Sequence, residues 1–571
     1  MSGQSADSPV IVVGAGPVGM ATGLLLAKQG VPSVILERRT TPSCDQSRAV
    51  TVQRDILALY DRLGFVDEVL AEGAGWSVGR TFVGDRELMQ LQFPTHGQEV
   101  YPAFVNFPQF RTEQILHSAA EATGLVHFRH GHVFQALEQR HDHVELRVAT
   151  PDGTQQTHTA RYVVAADGLG SWVRKQLGIA FHGWRSSGRF LVCDFAAELP
   201  FARERRLWFG PSFYAGGIVL MHSIGHNLWR IDWQIDPGAE ESQYLDPQRL
   251  GQLLHDAVGD HAVQVLRANT YTFQQRRAER FRSGRVFLAG DAAHVVSPFG
   301  ARGMNSGMED AENLAWKLAY VLSGRADERL LDSYHEERSA AAAHHVAVTG
   351  ATMNFMTPPT REGLARRDAI LQAAATDRAS LARVDSGKLY EPFPYHDSPL
   401  TGCLDAVGDP VSGSAVDDAV AVGNLAPDGH CHTAEGPTTL RRLLGGEVSV
   451  LAVPAAGSSS QPLLRRLARV AAVPPNRIFL LSTEELEADS AGPRLITDAG
   501  GLLVAAYAGE ADRLFFVRPD CYLGVRTPVP ETAEATAHLA DQALSLLLGR
   551  RPVVDAQATH VREELGARSE S

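Results

Sequence analysis

The sequence predicts an α/β protein of about three units: a β-α-β unit that opens the chain, a mostly β insertion, and a further α/β unit at the C-terminus. Three observations carry this. Short apolar strands at Val10–Val13, Tyr162–Ala166 and Val286–Ala289 each end in a Gly- or Asp-containing turn, where open α/β sheets place their ligand-binding loops. The stretch 178–281 alternates apolar and polar residues and is rich in aromatics. A final alternation of helical and strand patterns starts near Asn424. The length, 571 residues, suits this count at roughly 100–200 residues per domain.

The elements follow in order. Val10–Val13 is β-branched, and a Gly-rich turn leads from it into a helix over Val18–Gln29. Gly30 stands where a helix C-cap prefers glycine. The strand Ser33–Leu36 closes on Glu37, and parallel strands need such a crossover between them. In the insertion, the alternation Leu228-Trp229-Arg230-Ile231-Asp232-Trp233 reads as half-buried antiparallel strand. From Asn305 to about Phe355 the pattern is helical: Leu314, Leu318 and Val321 share a face, and Pro358-Pro359 breaks the run. The Gly-, Pro-, Ser- and Asp-rich segment 359–423 reads as a linker wrapping the preceding domain. In the last unit, Leu440–Leu444 and Leu463–Val470 read as helices and Val448–Val453 and Arg477–Leu481 as strands. Leu502–Ala506 with Leu514–Val517 reads as a terminal hairpin, and Glu531–Leu548 as the last helix. The expected boundaries are 1–177 and 282–358 for the two parts of the first domain, 178–281 for the insertion, and 424–571 for the last unit.

Composition mainly excludes. With 44% hydrophobic residues the chain is too apolar for disorder, and a net charge of −13 with no basic run argues against nucleic acid as partner. Cys44, Cys193, Cys403, Cys431 and Cys521 are odd in number and form no CxxC pair, which excludes a disulfide scaffold or zinc ribbon and fits a reducing cytoplasm. The apolar N-terminus lacks a basic flank and is interrupted by glycines. No unbroken apolar run of about 18 residues follows, so a membrane partner is not expected.

Gly14-x-Gly16-Pro17-x-Gly19 lies between strand and helix, with Glu37 ending the second strand. Gly14 permits the tight turn, Gly16 lets a pyrophosphate approach, and Gly19 allows close helix–strand packing. The helix N-terminus offers free N–H groups to phosphates, and Glu37 can accept from ribose hydroxyls. A Rossmann-like dinucleotide site follows, without choosing FAD or NAD. Two further motifs come later. One is Asp167-Gly168-Leu169-Gly170-Ser171-Trp172-Val173-Arg174. The other is Gly284-Arg285-Val286-Phe287-Leu288-Ala289-Gly290-Asp291, continuing through Pro298-Phe299-Gly300-Ala301-Arg302-Gly303-Met304-Asn305 to Asp310. In the latter, a Gly-rich loop opens a long helix and aims the N–H groups of Gly303, Met304 and Asn305 at whatever lies ahead. That suits an anionic group.

These three motifs, in this order and spacing, resemble the single-component FAD-dependent aromatic hydroxylases, over about Val10 to Phe355. The resemblance implies a Rossmann-like FAD-binding domain, an inserted mostly β substrate domain and, from a weaker likeness around Phe516–Asp520 and Arg526, a C-terminal thioredoxin-like domain. Lacking CxxC, that domain would be redox-silent. The resemblance further implies that Gly14, Gly16, Pro17 and Gly19 hold the FAD pyrophosphate and that Glu37 and Arg38 lie at the adenosine half. Arg48 would touch the cofactor and take part in handling NADPH or NADH. Gln109 would contact the ribityl–phosphate portion, the Val133 backbone the adenine, and Asp291, next to Gly290, a ribityl hydroxyl. Asp167 and Arg174 belong to a fingerprint tied to FAD and NAD(P)H, and the Pro298 backbone would lie close to the reacting ring. Arg302 is either a cation near the flavin or part of a surface salt bridge.

The implied reaction is hydroxylation of an aromatic, phenolic substrate by O2 and NAD(P)H through a flavin C4a-hydroperoxide. A small hydroxyaryl acid and a polyketide-sized ring both stay open. Rival readings are an epoxidase or ring-cleaving monooxygenase on the same fold, a non-catalytic FAD-binding sensor, and a simple FAD dehydrogenase or oxidase. Trp208, Tyr214, His222 and Arg230 are the candidate substrate-lining residues, and no catalytic base is assigned. His294 reads as a packed residue fixing its loop, and Trp229 and Trp233 as sheet core. No metal site is expected, since strand alternation splits His127 from His130 and His132. The assembly is expected to be a monomer or homodimer.

Overall fold

The computed structural model describes residues 8–41, 49–93, 99–215, 217–236, 238, 240–387, 389–411, 419–484, 486 and 492–550. They form two compact units: residues up to Ala319 with Tyr334–Phe393, and Tyr320–Ser333 with the residues from Pro394 on.

The first unit is built on two sheets. In one, β1 (Ser8–Val13) leads through α1 (Pro17–Lys28) to β2 (Ser33–Glu37), and β1 lies parallel between β2 and the strand Gln155–Ala165. Val126–His130 adds in parallel beyond β2, and Val286–Leu288 beyond Gln155–Ala165. Val10, Val12, Ile35, Val163 and Val164 are wholly buried, as parallel strands covered on both faces require.

The second sheet draws on more chain than the 178–281 stretch. Its strands β3 (Phe181–Ala196), β4 (Arg205–Phe209), β5 (Ile218–Gly225), β6 (Leu228–Ile235) and β7 (Gln264–Ala278) run in the order β7-β3-β6-β5-β4. Val78–Val83 then pairs in parallel with β4 and Arg86–Gln92 closes that edge, while His294–Val295 joins β7 at the other. Strand alternation gives this sheet two different faces. On the outer face Leu191, Phe195, Val219, Trp229, Ile231 and Trp233 pack with Leu250, Leu253 and Leu254 of the helix Pro247–Val258. On the inner face Phe190, Leu207, Phe209, Ile218 and Leu220 pack with Phe299, Met353 and Met356.

Two long helices follow, α2 (Gly303–Leu322) and α3 (Asp332–Met356), separated by a 3-10 turn at Glu328–Leu331 that the apolar pattern did not reveal. Part of the segment expected as linker is helical: Arg361–Ala373 is capped by Thr360, whose hydroxyl accepts from Gly363 N at 3.1 Å.

In the second unit, Ser449–Val453, Ile478–Ser482 and Arg494–Thr497 are parallel neighbours, and Arg513–Val517 and Leu523–Pro528 continue antiparallel beyond Ser449–Val453. The expected hairpin of Leu502–Ala506 with Leu514–Val517 does not form. Leu502–Tyr507 is a helix whose Leu503 and Tyr507, one turn apart, are buried, and Asp498 Oδ2 accepts from Val504 N at 2.9 Å in its first turn. Arg513–Val517 pairs instead with Leu523–Pro528. A short Leu- and Ala-rich run serves either element, and tertiary burial decided for helix. Among the described residues no helix is long and apolar enough to cross a membrane.

Candidate cofactor and substrate site

The Gly-rich turn is fixed by close backbone approach. Gly14 has φ +108°, and a Cβ there would lie 2.4 Å from Ala166 O. A Cβ at Gly19 would lie 2.0 Å from Gly14 O, so α1 sits directly against the turn. Gly16 differs: no atom lies within 4 Å of a Cβ built there, so this side of the turn faces open space. Gly16 is the N-cap of α1 without a side-chain cap, and Pro17 occupies the first turn. The first-turn amides therefore point at that space. Glu37 ties the turn to β2, its Oε2 accepting from Ala15 N at 2.9 Å and its Oε1 from Arg39 N and Nε at 2.9 and 3.0 Å. Burial alone would raise its pKa; Arg39 and the Ala15 amide outweigh this and hold the carboxyl below its usual value.

The second and third motifs meet here. Asp167 Oδ2 accepts from Trp172 N at 2.8 Å and Val173 N at 3.2 Å, while its Oδ1 is closed off from solvent with no hydrogen-bond partner. Arg174 donates to Ala292 O at 2.8 Å and Leu169 O at 3.0 Å. Val18 of α1 packs where a Cβ at Gly290 or Gly307 would stand, 2.9 and 2.6 Å from its Cγ2. This lets the N-terminal ends of α1 and α2 converge on the Gly290–Asp291 turn.

A buried ion network holds that turn. Asp310 Oδ2 accepts from Gly290 N at 2.8 Å and pairs with His294 Nε2 at 2.7 Å, and Asp310 Oδ1 accepts from Arg338 Nε at 2.7 Å. Arg338, fully buried on α3, also donates to Glu309 Oε2 at 2.9 Å and to Ser306 O at 2.9 Å. Burial would raise the Asp310 pKa, but His294 and Arg338 keep it below the usual range. Burial pushes Glu309 up to about 7, with Arg338 opposing. A carboxyl whose folded pKa exceeds its unfolded value stabilises the fold fully below about pH 4.5, and that contribution is lost as pH rises through about 7. Thermal stability should therefore fall between those pH values, and Glu309→Gln should flatten part of the decline in a series of melting curves.

The sequence-predicted cofactor residues divide as follows. Gly14, Gly16, Pro17, Gly19, Glu37, Asp167, Gly290, Pro298, Gly303, Met304 and Asn305 fall at the two helix starts and the turns between them. Asn305 is buried and bridges to the strand Thr51–Gln53, accepting from Gln53 N at 3.1 Å and donating to Thr51 O at 3.0 Å. Gln109 opens the helix Gln109–Ala122, accepts from Ala49 N at 2.9 Å and donates to Glu113 at 2.8 Å. Arg38 and Val133 are exposed, and Asp291 is half-buried in its turn. Arg48, like Cys44, lies outside the described residues. Arg302 is not part of a surface salt bridge: it is buried, donates to Leu389 O at 2.9 Å and lies 3.0 Å from His345 Nδ1. His294 is the loop anchor described above.

The four substrate candidates divide between the two faces of the sheet. Trp208 stacks on Phe82 and Tyr214 donates to Gln234 O at 2.5 Å, and both pack with the outer-face cluster, away from Phe299. Trp208 lies in the outward phase of the β4 pleat, and Tyr214 lies in the loop between β4 and β5. His222 and Arg230 are in register on the inner face, and Arg230 is paired with Asp194 at 2.6 Å. That face carries residues the sequence reading did not single out: Asp194, also paired with Arg267 at 2.8 Å, and Asp232, whose Oδ1 is closed off from solvent and unpartnered. His222 Nε2 and Arg267 Nη1 are likewise buried without a partner. Asn106 links this sheet to the α2 end of the site, donating to Ser223 O at 2.8 Å and accepting from Thr51 Oγ1 at 2.7 Å, next to Asn305.

The open side of Gly16, the unpartnered Asp167 oxygen and the uncapped start of α1 fit a dinucleotide such as FAD. A family model described as FAD binding domain matches residues 7–349. The chain belongs to this family. It is 33% identical over 392 residues to a 3-(3-hydroxy-phenyl)propionate/3-hydroxycinnamic acid hydroxylase of Mycobacterium sp. (strain JLS), covering 68% of this chain and 67% of that one. Among solved structures it resembles the flavin-dependent monooxygenase PieE in complex with FAD and substrate, with TM-score 0.76 and 23% identity over 95% of this chain and 99% of that one. It also resembles aklavinone-11 hydroxylase with FAD and aklavinone, with TM-score 0.71, 25% identity and the same coverage. This family member is an FAD-dependent aromatic hydroxylase that uses NAD(P)H, and the expected Rossmann-like FAD domain is borne out.

Proposed function

We propose that the substrate is a phenol bound between the inner face of the second sheet and the Pro298–Asn305 loop. What supports this is the chemistry of that face: an apolar wall of Phe190, Leu207 and Leu220 against Phe299, bordered by buried polar atoms of His222, Asp232 and Arg267 without partners. Apolar walls with a few convergent polar groups are what a small aromatic ligand requires. When bound, FAD supplies transfer of one oxygen atom from O2 to the ring at the expense of NAD(P)H. The chain's own part is to hold the dinucleotide at the starts of α1 and α2, to aim first-turn amides of α2 at developing negative charge, and to keep water from the apolar wall. The relatives' names put a hydroxyphenyl acid and a polycyclic polyketide equally within reach.

The C-terminal unit, with Ile478–Ser482, Ser449–Val453, Arg513–Val517 and Leu523–Pro528 in that order, supports the thioredoxin-like reading. Its described cysteines, Cys403, Cys431 and Cys521, are buried thiols, which suits a redox-silent role and a reducing cytoplasm. We assign a monomer or homodimer.

The test incubates the holoenzyme with NADPH or NADH, isotopically heavy O2 and 3-(3-hydroxyphenyl)propionate or polyketide phenols. A product carrying one heavy oxygen is expected; peroxide alone would sink the reading. The site assignment has its own check. Leu220→Trp, on the inner face, should weaken phenol binding at least about tenfold with FAD content retained, whereas Trp208→Leu, on the outer face, should change it less than about twofold.

A further inference from the structure

The inner face is not uniformly polar. Arg230, Asp194 and Arg267 are cross-strand neighbours on β6, β3 and β7, with His222 beside Arg230 on β5. Two residues further along β6, on the same face, stands Asp232. Its in-register neighbours are apolar: Val192 on β3 and Leu220 on β5. Leu220 packs in the cluster that contains Phe299, the residue after Pro298 in the loop that opens α2. Asp232 thus projects from the border between a charged row and the apolar wall. A buried carboxylate oxygen without a partner is destabilising, so one retained in a site calls for a ligand that donates to it.

Resting on the reading that a phenol occupies this face, we propose that Asp232 accepts the proton of the substrate's hydroxyl. The substrate O–H bond breaks, its electron pair stays on the oxygen, and the proton bonds to Asp232 Oδ1. The electron-rich oxygen then activates the ring carbons ortho and para to it for oxygen transfer. The proton returns to the product's oxygen as the product leaves, which regenerates the carboxylate.

The neighbours on each packed strand fit this division of labour. Asp194 is engaged by Arg230 and Arg267; burial would raise its pKa, but these two arginines hold it down. Burial, reinforced by Arg230 and Arg205, drives the His222 pKa down to about 3, so its imidazole stays neutral and cannot take the proton near neutral pH. Asp232 itself is pushed up to about 7 by burial, with Arg230, Arg267 and Arg205 opposing and Asp194 reinforcing. A base works best with a pKa near the working pH. Arg205 on β4, Arg230 on β6 and Arg267 on β7 also supply the positive field in which a phenolate is stable, and Tyr271 lies further along β7.

The experiment titrates 3-(3-hydroxyphenyl)propionate into oxidised holoenzyme and reads the ultraviolet difference band of the phenolate between pH 6 and 9. Wild type should bind the probe ionised well below its free pKa. Asp232→Asn should bind it as the neutral phenol, with affinity within about threefold and hydroxylation slowed about a hundredfold. Asp232→Glu should restore part of the phenolate band, and bound FAD per chain confirms that each variant is folded. An unchanged band and pH profile in Asp232→Asn overturn the assignment. If the probe binds neither wild type nor variant, or binds Leu220→Trp as well as wild type, the substrate reading itself fails.

Discussion

Gly19→Ala should purify without FAD. The new methyl carbon would stand 2.0 Å from Gly14 O, 3.1 Å from Gly14 C and 3.3 Å from Ala166 Cβ. The nearest of these are backbone atoms of a turn already pinned at Gly14, so no side chain can yield. Helix α1 has to move off the sheet, and its first-turn amides lose their aim at the phosphates. A loss of FAD affinity of at least about a hundredfold is expected, about 2.7 kcal/mol, with a lowered melting temperature. Gly16→Ala separates geometry from fold. Its methyl group meets no protein atom, so the chain should melt normally while binding FAD more weakly, because the methyl occupies space that the pyrophosphate needs. The check is the absorbance ratio of flavin to protein, alongside melting curves. Full flavin content in Gly19→Ala would refute the close-approach argument.

Arg338→Ala should be the most destabilising single change outside the Gly-rich turn. Arg338 neutralises Asp310 and Glu309 and also donates to Ser306 O, all within the core. Removing it takes the guanidinium from two buried carboxyls and leaves Asp310 with His294 alone, which costs about 3–5 kcal/mol and on the order of 10 °C in melting temperature. Glu309, already high in pKa, then takes up a proton, and Asp310 loosens its hold on Gly290 N and so on the Asp291 turn. FAD should therefore dissociate at lower temperature than in wild type, visible as flavin fluorescence released ahead of unfolding. Arg338→Lys keeps the charge but has no fork to serve Asp310, Glu309 and Ser306 at once, so it should recover only part of the loss.

The Gly-rich turn could be read from sequence because its constraint is local. Spacing and residue size in Gly14–Gly19, followed by a helix and a strand ending in Glu37, state the requirement within 24 residues. The Gly290–Asn305 segment was legible for the same reason, as a strand, a turn and a helix start in succession. Arg338 was not: it belongs to no motif, and its partners Asp310 and Glu309 are reached only when α3 folds back on α2. Arg302 stayed open between a cation near the flavin and a surface salt bridge, because its burial depends on a distant carbonyl, Leu389 O, being brought to it.

The inner face of the second sheet shows the same division. Alternation along Leu228–Trp233 identified a strand and assigned Trp229, Ile231 and Trp233 to one side. It could not say that the polar phase, Arg230 and Asp232, lies on the face that packs against Phe299, because periodicity reports only that two faces differ. The same ambiguity left Trp208 undecided between the two faces. By itself, then, the sequence determined a dinucleotide site and the strand-and-helix framework, since both rest on short-range geometry of the backbone; FAD and the family of chemistry came through the resemblance of its three motifs. Which face of the sheet meets the cofactor loop, and which carboxylate there stays without a partner, was decided by tertiary structure, because burial and pairing depend on strands brought together from far apart in the chain.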